Sequence, residues 1–353
     1  MINPWSPEDF ARQVIQYYQA FGRKNLPWHN TRDPYKIWIS EIMLQQTQVT
    51  TVIPYFERFI KSFPTVKHLA QASDDQVMQH WSGLGYYSRA RNLHKAARII
   101  VTEYAGQFPE QPKLIEQLPG IGRSTAGAIA SFAFGQATAI LDGNVKRVLA
   151  RSYAISGWPG NGKVLKELWQ RAEANTPKEN TAAYNQAMMD LGALVCTRTK
   201  PDCQQCPLLK GCQAFHSNSI EHYPGKKPAK KRPTKAVYWL INIQNGQVLL
   251  HKRPPNGIWG GLWSLPEIAQ QDFNADGIKQ LSPFVHKFSH YDLAVQPLIL
   301  ASSTEKALVE KNYHPSIMKP AQADWFSRNQ LTEIGLATPV SKLLTELMQE
   351  SLS

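Results

Sequence analysis

Every cysteine of this chain lies in one seventeen-residue stretch, CTRTKPDCQQCPLLKGC, at Cys196, Cys203, Cys206 and Cys212. The spacing is C-x6-C-x2-C-x5-C. Core cysteines scatter along a sequence, and four thiols this close in an intracellular chain call for a metal, not disulfides. Thiolates select zinc or an iron–sulfur cluster. Zinc sites pair two short knuckles. Here one C-x2-C knuckle is flanked by a more distant cysteine on each side, which favours a [4Fe–4S] cluster over zinc. The ferredoxin run C-x2-C-x2-C-x3-C differs, so a dedicated electron carrier is not indicated. Arg198, Lys200 and Lys210 interleave the cysteines and place cations beside any such centre.

At 353 residues the chain is long enough for two domains. Lys plus Arg is 39 against 27 acids, a net charge of +12. That surplus raises the expectation of a polyanionic partner, and by itself it fits a basic solubility surface as well. The start, MINPWSPEDFARQ, has neither the positive end nor the apolar core of a signal peptide. The apolar stretch 125–141 is broken by Ser131, Gly135, Gln136 and Thr138, so it reads as a buried helix and not a membrane span. The expectation is a soluble, cytoplasmic monomer.

Apolar residues recur at three- and four-residue spacing over 7–22, 34–46, 49–62, 74–80, 86–104 and 124–134, so residues 1–220 are predicted to be mainly helical. EHYPGKKPAKKRPTK then breaks the pattern, and its basic, proline-rich portion 221–234 is read as a linker. Beyond it, KAVYWLINI and QVLLHKR are β-branched and aromatic around Gln244-Asn245-Gly246, a hairpin signal, and VSKLLTELMQE closes the chain as an amphipathic helix. Residues 235–353 are therefore expected to form an α+β domain.

Residues 118–125 read LPGIGRST. This is neither a Walker A loop nor a dinucleotide fingerprint, because no Gly-Lys-Ser/Thr follows and no strand precedes it. A short helix, KLIEQLP, comes before it, and an apolar helix comes after. On its own the pattern fits an ordinary tight interhelical turn. It also resembles the helix-hairpin-helix DNA-binding motif, in which Gly120 and Gly122 let the turn approach a phosphate and free N–H groups at the next helix start point at it. With Asp142 some twenty residues on, in LDGNVKR, and the cysteine loop behind, residues 8–215 resemble the endonuclease III superfamily of DNA glycosylases. In the bifunctional members a lysine that attacks the sugar stands where this chain has Ser124. A hydroxyl forms no imine, so the resemblance implies a monofunctional enzyme. Lys146, four residues past Asp142, is placed near phosphate.

The segment WISEIMLQQTQV, 38–49, sets Glu41 among apolar neighbours, where a carboxyl should have a raised pKa and suit proton donation. Its SE-x-M-L-Q-Q-T-x-V core is similar to the segment carrying the catalytic glutamate of MutY-type adenine DNA glycosylases. That resemblance implies Glu41 as general acid, Asp142 as stabiliser of the developing sugar cation or transient nucleophile, and Asn144 as the residue orienting them. It implies Trp28, Leu44 and Gln186 around the adenine. Gln46 and Tyr86, the latter in GLGYYSRARN, would fill the gap left by the flipped nucleotide. Arg89, Arg91 and Lys95 would contact phosphate.

GIWGGLWSLPE, 257–267, resembles the start of a Nudix box, but the continuation IAQQDFNADGIKQL lacks the R-E-x-x-E-E acids that hold magnesium. The domain resembles the catalytically dead Nudix relative of MutY-type enzymes, which implies recognition of 8-oxoguanine opposite adenine. Phe288, Ser289 and His290 in VHKFSHYDL match the lesion-reading loop. The expected partner is double-stranded DNA with an adenine·8-oxoguanine or adenine·guanine mispair. A thymine glycosylase acting on T·G mispairs and a non-catalytic mismatch sensor are the alternatives. Ser124 and the Nudix relative argue against the first, and the two acids argue against the second.

Overall fold

The computed structural model describes residues 5–29, 31–229, 231–268, 278–300 and 322–350. Two compact units emerge, and they do not follow chain order. One holds residues 1–67 and 95–229; the other holds 68–94 and 230–353. The cut near 229 falls inside the basic segment read as a linker. Residues 68–94, however, pack with the C-terminal part and not with the helices around them in sequence. Lys252 Nζ reaches Asp75 at 2.8 Å, Ser82 Oγ donates to the Leu336 carbonyl, and a Cβ on Gly335 would sit 2.7 Å from Met78 Cβ.

Along the chain run α1 (Pro7–Phe21), α2 (Pro34–Leu44), α3 (Val49–Ser62), α4 (Val66–Gln71), α5 (Asp74–Trp81), α6 (Ser88–Glu103), α7 (Pro112–Glu116), α8 (Arg123–Phe134), α9 (Gly143–Ser152), α10 (Gly162–Asn175) and α11 (Thr181–Asp190). Local chemistry sets their starts. Ser6 caps α1 by accepting from the Asp9 N–H, and Asp33 caps α2 by accepting from Tyr35, each followed by a proline. In α2, Tyr35, Ile37, Trp38, Ile39, Ser40, Ile42 and Met43 are all buried. A helix apolar all round belongs inside a core, and Glu41 is its one acid. Phe10, Val14, Leu149, Leu168, Met188 and Leu191 join α1, α9, α10 and α11 in one apolar cluster. Each such side chain contributes about 1.5–3 kcal/mol by leaving water.

Past Asp190, α11 continues as a π-helical turn, Leu191–Val195. Such bulges are rare and recur at functional sites. Here the turn brings Gly192 against α9, where any Cβ would meet Asn144 Cβ at 2.6 Å.

The second unit carries β1 (Thr234–Ile241), β2 (Ile243–Gln244), β3 (Gln247–Lys252), β4 (Trp263–Ser264), β5 (Glu267–Ile268), β6 (Ile278–Gln280), β7 (Phe284–Lys287), β8 (Asp292–Leu300) and β9 (Gln322–Ser327). Among the described residues one sheet has the order β5-β1-β8-β6, with β7 also on β8, and the other has β2-β3-β4, with β9 on β3. Strands β1 and β8 run parallel from Thr234 opposite Asp292 to Ile241 opposite Ile299. Asn245 and Gly246 both take positive φ, 50° and 73°, as a tight hairpin between β2 and β3 requires. The tail forms the helix Thr338–Glu350. Most of the segment after the Nudix-like motif, 269–277, lies outside the described residues.

Candidate active site

A cavity of about 310 Å³ in the first unit is lined by Trp28, His29, Ser40, Glu41, Phe132 and Gln186, among others. Three residues singled out from the sequence, Trp28, Glu41 and Gln186, thus share one space. Trp28 is buried edge-on against Phe56. Leu44 is not on the cavity wall; it sits half-buried in the last turn of α2. His29 was not anticipated. It is the residue after Trp28, and neither of its ring nitrogens completes a hydrogen bond.

Glu41 and Asp142 are electrostatically linked, and their surroundings separate them. Burial pushes the Glu41 carboxyl up to about 8, and the Asp142 charge adds to the rise. Burial holds Asp142 above its ordinary value as well, although hydrogen bonds from Val145 and Asn144 and the Arg147 charge pull it part of the way back. Asp142 is the N-cap of α9 and accepts from the Val145 N–H at 2.8 Å. Asn144 Nδ2 donates to its other oxygen at 3.2 Å. One carboxyl is thus kept protonated near neutrality while the other is surrounded by groups that favour its charge.

Asn144 is held in turn. Its Oδ1 accepts from Arg147 at 2.9 Å, and the same guanidinium donates to the Gly192 carbonyl at 2.6 Å and the Cys196 carbonyl at 2.7 Å. Arg147, which the sequence reading passed over, therefore joins the aspartate's neighbour to the first cysteine. One turn on, buried Arg151 donates to the Thr197 and Arg198 carbonyls and lies 3.4 Å from Cys196 Sγ.

Cys196, Cys203, Cys206 and Cys212 all line one small apolar pocket with Val148, Arg151 and Leu208. Burial pushes the Cys206 thiol up to about 12 and raises Cys203 and Cys212. Among the described residues no group of three or more Cys, His, Asp or Glu side chains stands at metal-ligand spacing. The donor set nonetheless fits a thiolate-bound centre: four sulfurs share a dry pocket, with Arg151 to offset thiolate charge.

The LPGIG turn joins α7 to α8. Gly120 has φ +80°, a region glycine alone enters freely. Gly122 is the N-cap of α8 with no side chain satisfying the first N–H groups, and a Cβ there would meet nothing within 4 Å. The turn therefore presents free donors to open space. Ser124 does something unforeseen: its Oγ accepts from the Leu141 N–H at 2.9 Å, fastening the start of α8 to the residue before Asp142. Lys146 is half-exposed on α9 and Lys95 is exposed on α6.

Gln46, just past α2 in the first unit, and Tyr86, in the second, are both exposed and both at positive φ, 59° and 49°. Non-glycine residues hold that conformation only where their surroundings enforce it, often at functional sites. Arg89 and Arg91 depart from expectation. Arg89 is buried, donates to the Leu84 and Gly85 carbonyls, and lies over the Trp81 and Tyr86 rings. Arg91 donates to the Gly260 carbonyl. Arg89 braces the second unit from inside, and half-exposed Arg91 braces it through Gly260.

Also in the second unit, the β7–β8 hairpin turns through Phe288–Tyr291, closed by the Phe288 N–H on the Tyr291 carbonyl. Ser289 and His290 are exposed at the tip. Phe288 packs among Trp259, His286, His290 and Tyr291, its centroid 4.7–6.1 Å from theirs. Ser289 and His290 thus stand out to solvent on an aromatic footing.

Residues 39–174 match the family model of the HhH-GPD superfamily base excision DNA repair proteins, and residues 236–346 match a NUDIX domain. Fold and site therefore define a helix-hairpin-helix base-excision protein with an appended Nudix-like domain. The chain is 42% identical to the adenine DNA glycosylase of Buchnera aphidicola subsp. Baizongia pistaciae, over 96% of each chain. It is 32% identical to that of Homo sapiens, over 95% of this chain and 73% of the human one. This chain belongs to the adenine DNA glycosylase family, enzymes of base excision repair that hydrolyse N-glycosyl bonds. Among solved structures it is similar to a thermostable thymine-DNA glycosylase (TM-score 0.53, 29% identity, 59% of this chain and 95% of that one). A trapped endonuclease III–DNA intermediate shares the fold (TM-score 0.52, 23% identity, 61% and 99%). No described helix is long and apolar enough to cross a membrane.

Proposed function

We propose that this enzyme removes adenine paired with 8-oxoguanine or guanine in duplex DNA, leaves an abasic site, and does not itself cut the strand. The observation that carries this reading is Glu41. It is an acid of an otherwise buried helix, on the wall of a base-sized cavity with Trp28 and Gln186, and its carboxyl is pushed up to about 8. Near neutrality it holds a proton to give to the departing purine, which turns a poor leaving group into a neutral one. The sugar left behind carries developing positive charge, and Asp142, with Val145, Asn144 and Arg147 favouring its charged form, stabilises it. Glu41, having lost its proton, then activates the water that completes hydrolysis. Ser124, occupied by the Leu141 N–H, has no amine to trap the sugar, so no imine forms and no strand break follows.

Gly120, Gly122 and Lys146 grip the backbone, and Gln46 and Tyr86 occupy the space vacated by the flipped nucleotide. Phe288, Ser289 and His290 read the opposing 8-oxoguanine from the Nudix-like domain. Cys196, Cys203, Cys206 and Cys212 hold one [4Fe–4S] cluster, which when bound ties the loop to α9 and takes no part in the hydrolysis. The protein works as a cytoplasmic monomer.

The test uses duplexes with a single A·8-oxoguanine, A·G or T·G pair, treated with alkali after incubation. An alkali-dependent break at adenine is expected, faster opposite 8-oxoguanine. Breakage at thymine only would establish the thymine reading instead, and breakage without alkali would contradict the monofunctional one.

A further inference from the structure

Gln186 reaches the cavity from α11, and its amide is not free to turn. Its Nε2 donates at 2.9 Å to Oδ1 of Asp190, one helical turn further on. Asp190 is fully buried. Its Oδ2 accepts from the Arg23 backbone N–H at 2.8 Å, and its Oδ1 from Arg23 Nε and Nη2 at 3.0 and 2.6 Å. A carboxylate held by a guanidinium can only accept. Gln186 must therefore turn its NH2 toward Asp190, because the opposite orientation would set two oxygens against each other out of water. The amide atom left for the cavity is Oε1. His29 shares this edge of the wall and faces Gln186. Neither His29 ring nitrogen completes a hydrogen bond to it, so Oε1 keeps a lone pair open to a base in the cavity.

We propose that Asp190 is a specificity-setting positioning residue: by fixing the Gln186 amide it makes the cavity wall an acceptor, selecting a leaving base that presents an exocyclic amine and rejecting one that presents a carbonyl oxygen there. The proposal rests on the reading of this cavity as the pocket for the excised adenine. Adenine offers its N6 amino group, whereas hypoxanthine, nearly the same shape, offers O6. A site built to receive a donor rejects its acceptor analogue strongly, because two acceptors are then left facing each other; in a partly open pocket the discrimination should be on the order of 100-fold.

The experiment measures single-turnover release by the full-length holoprotein from three duplexes. They differ only in the base opposite 8-oxoguanine: adenine, unsubstituted purine or hypoxanthine. The wild type should release adenine fastest and hypoxanthine slowest. Asp190→Asn leaves Arg23 and Gln186 competing for one acceptor oxygen and frees the amide to turn. Its adenine-to-hypoxanthine ratio should fall by about tenfold or more, while purine, with no group at that edge, loses least. A role in folding alone would slow all three equally. Should Asp190→Asn not fold, the pair Arg23→Met with Asp190→Leu removes the carboxylate without stranding a buried charge, and the same fall in ratio is expected. A wild-type ratio in whichever variant folds would overturn the proposal. Failure of the wild type to release adenine at all would instead overturn the adenine reading on which it rests.

Discussion

The cavity around Glu41 and the hairpin tip around Ser289 solve opposite problems. In the first unit the groups proposed for chemistry are withdrawn from water and fixed: Glu41 by its burial, Asp142 by its place at the head of α9, Gln186 by Asp190. In the second unit the residues proposed to read the lesion stand exposed, and only their footing is fixed, by Phe288 among Trp259, His286 and Tyr291. Catalysis needs a carboxyl whose proton affinity has been changed, and burial changes it. Recognition needs donors and acceptors that a partner can still reach, and a rigid platform keeps them from losing entropy when it does.

That contrast can be broken by substitution, since chemistry and reading should fail separately. Glu41→Gln keeps shape but has no proton to give, so single-turnover release of adenine should fall by about 10³-fold, within the range general acids contribute. Affinity for the A·8-oxoguanine duplex, measured by titration, should stay near the wild-type value. Near-normal turnover would remove Glu41 from the mechanism.

Arg147→Met should act less severely. It cuts the bridge from Asn144 to the Gly192 and Cys196 carbonyls while leaving both acids in place. A loss of about 10- to 100-fold in the release rate is expected, the scale of a small misplacement of a reacting group. Iron and sulfide analysis of the same preparation reports whether the cysteine loop has loosened with it. An unchanged rate would mean that Asp142 is positioned by its cap alone.

On the reading side, Phe288→Ala removes the platform and should lower the preference for 8-oxoguanine over guanine by about tenfold. Ser289→Ala removes one hydrogen bond and should lower it by about fivefold. In both variants the release rate at saturating enzyme should stay unchanged; a fall there would blur the division of labour.

The smallest effect is on stability. The folded-state pKa of Glu41 lies above its unfolded value, so the native state holds the extra proton. Its contribution is complete below pH 4–5 and is lost as pH rises through about 8. Glu41→Gln removes that loss. The melting temperature should rise by roughly a few degrees at pH 8.5 and by less at pH 5.

Helical periodicity predicted α1, α2, α3 and α8 to within two residues at either end, because each repeats apolar residues at three- and four-residue spacing, and α1 and α2 add the start signals Ser6-Pro7 and Asp33-Pro34. The placing of Glu41 on the cavity wall and of the four cysteines around one pocket had signals in the sequence: an acid in an apolar run whose SE-x-M-L-Q-Q-T pattern resembles a known catalytic segment, and four thiols in seventeen residues. What escaped depends on partners distant in sequence. Arg91 looks like an exposed cation on a helix, and only the folded chain shows it turned onto Gly260. Asp190 finds Arg23 from 167 residues away. Its signal was present, an acid in the apolar run MMDLGALV one turn from Gln186, but nothing local names its partner. The packing of residues 68–94 with the C-terminal part is likewise invisible to a reading by stretches.

The central claim is that Glu41 carries its proton at neutral pH because burial puts it there. Its most direct test is the pH dependence of single-turnover adenine release from an A·8-oxoguanine duplex at saturating enzyme. The rate should be level between about pH 6 and 7 and fall by about tenfold per unit above pH 8. A rate that stays level or climbs to pH 9.5 would contradict it.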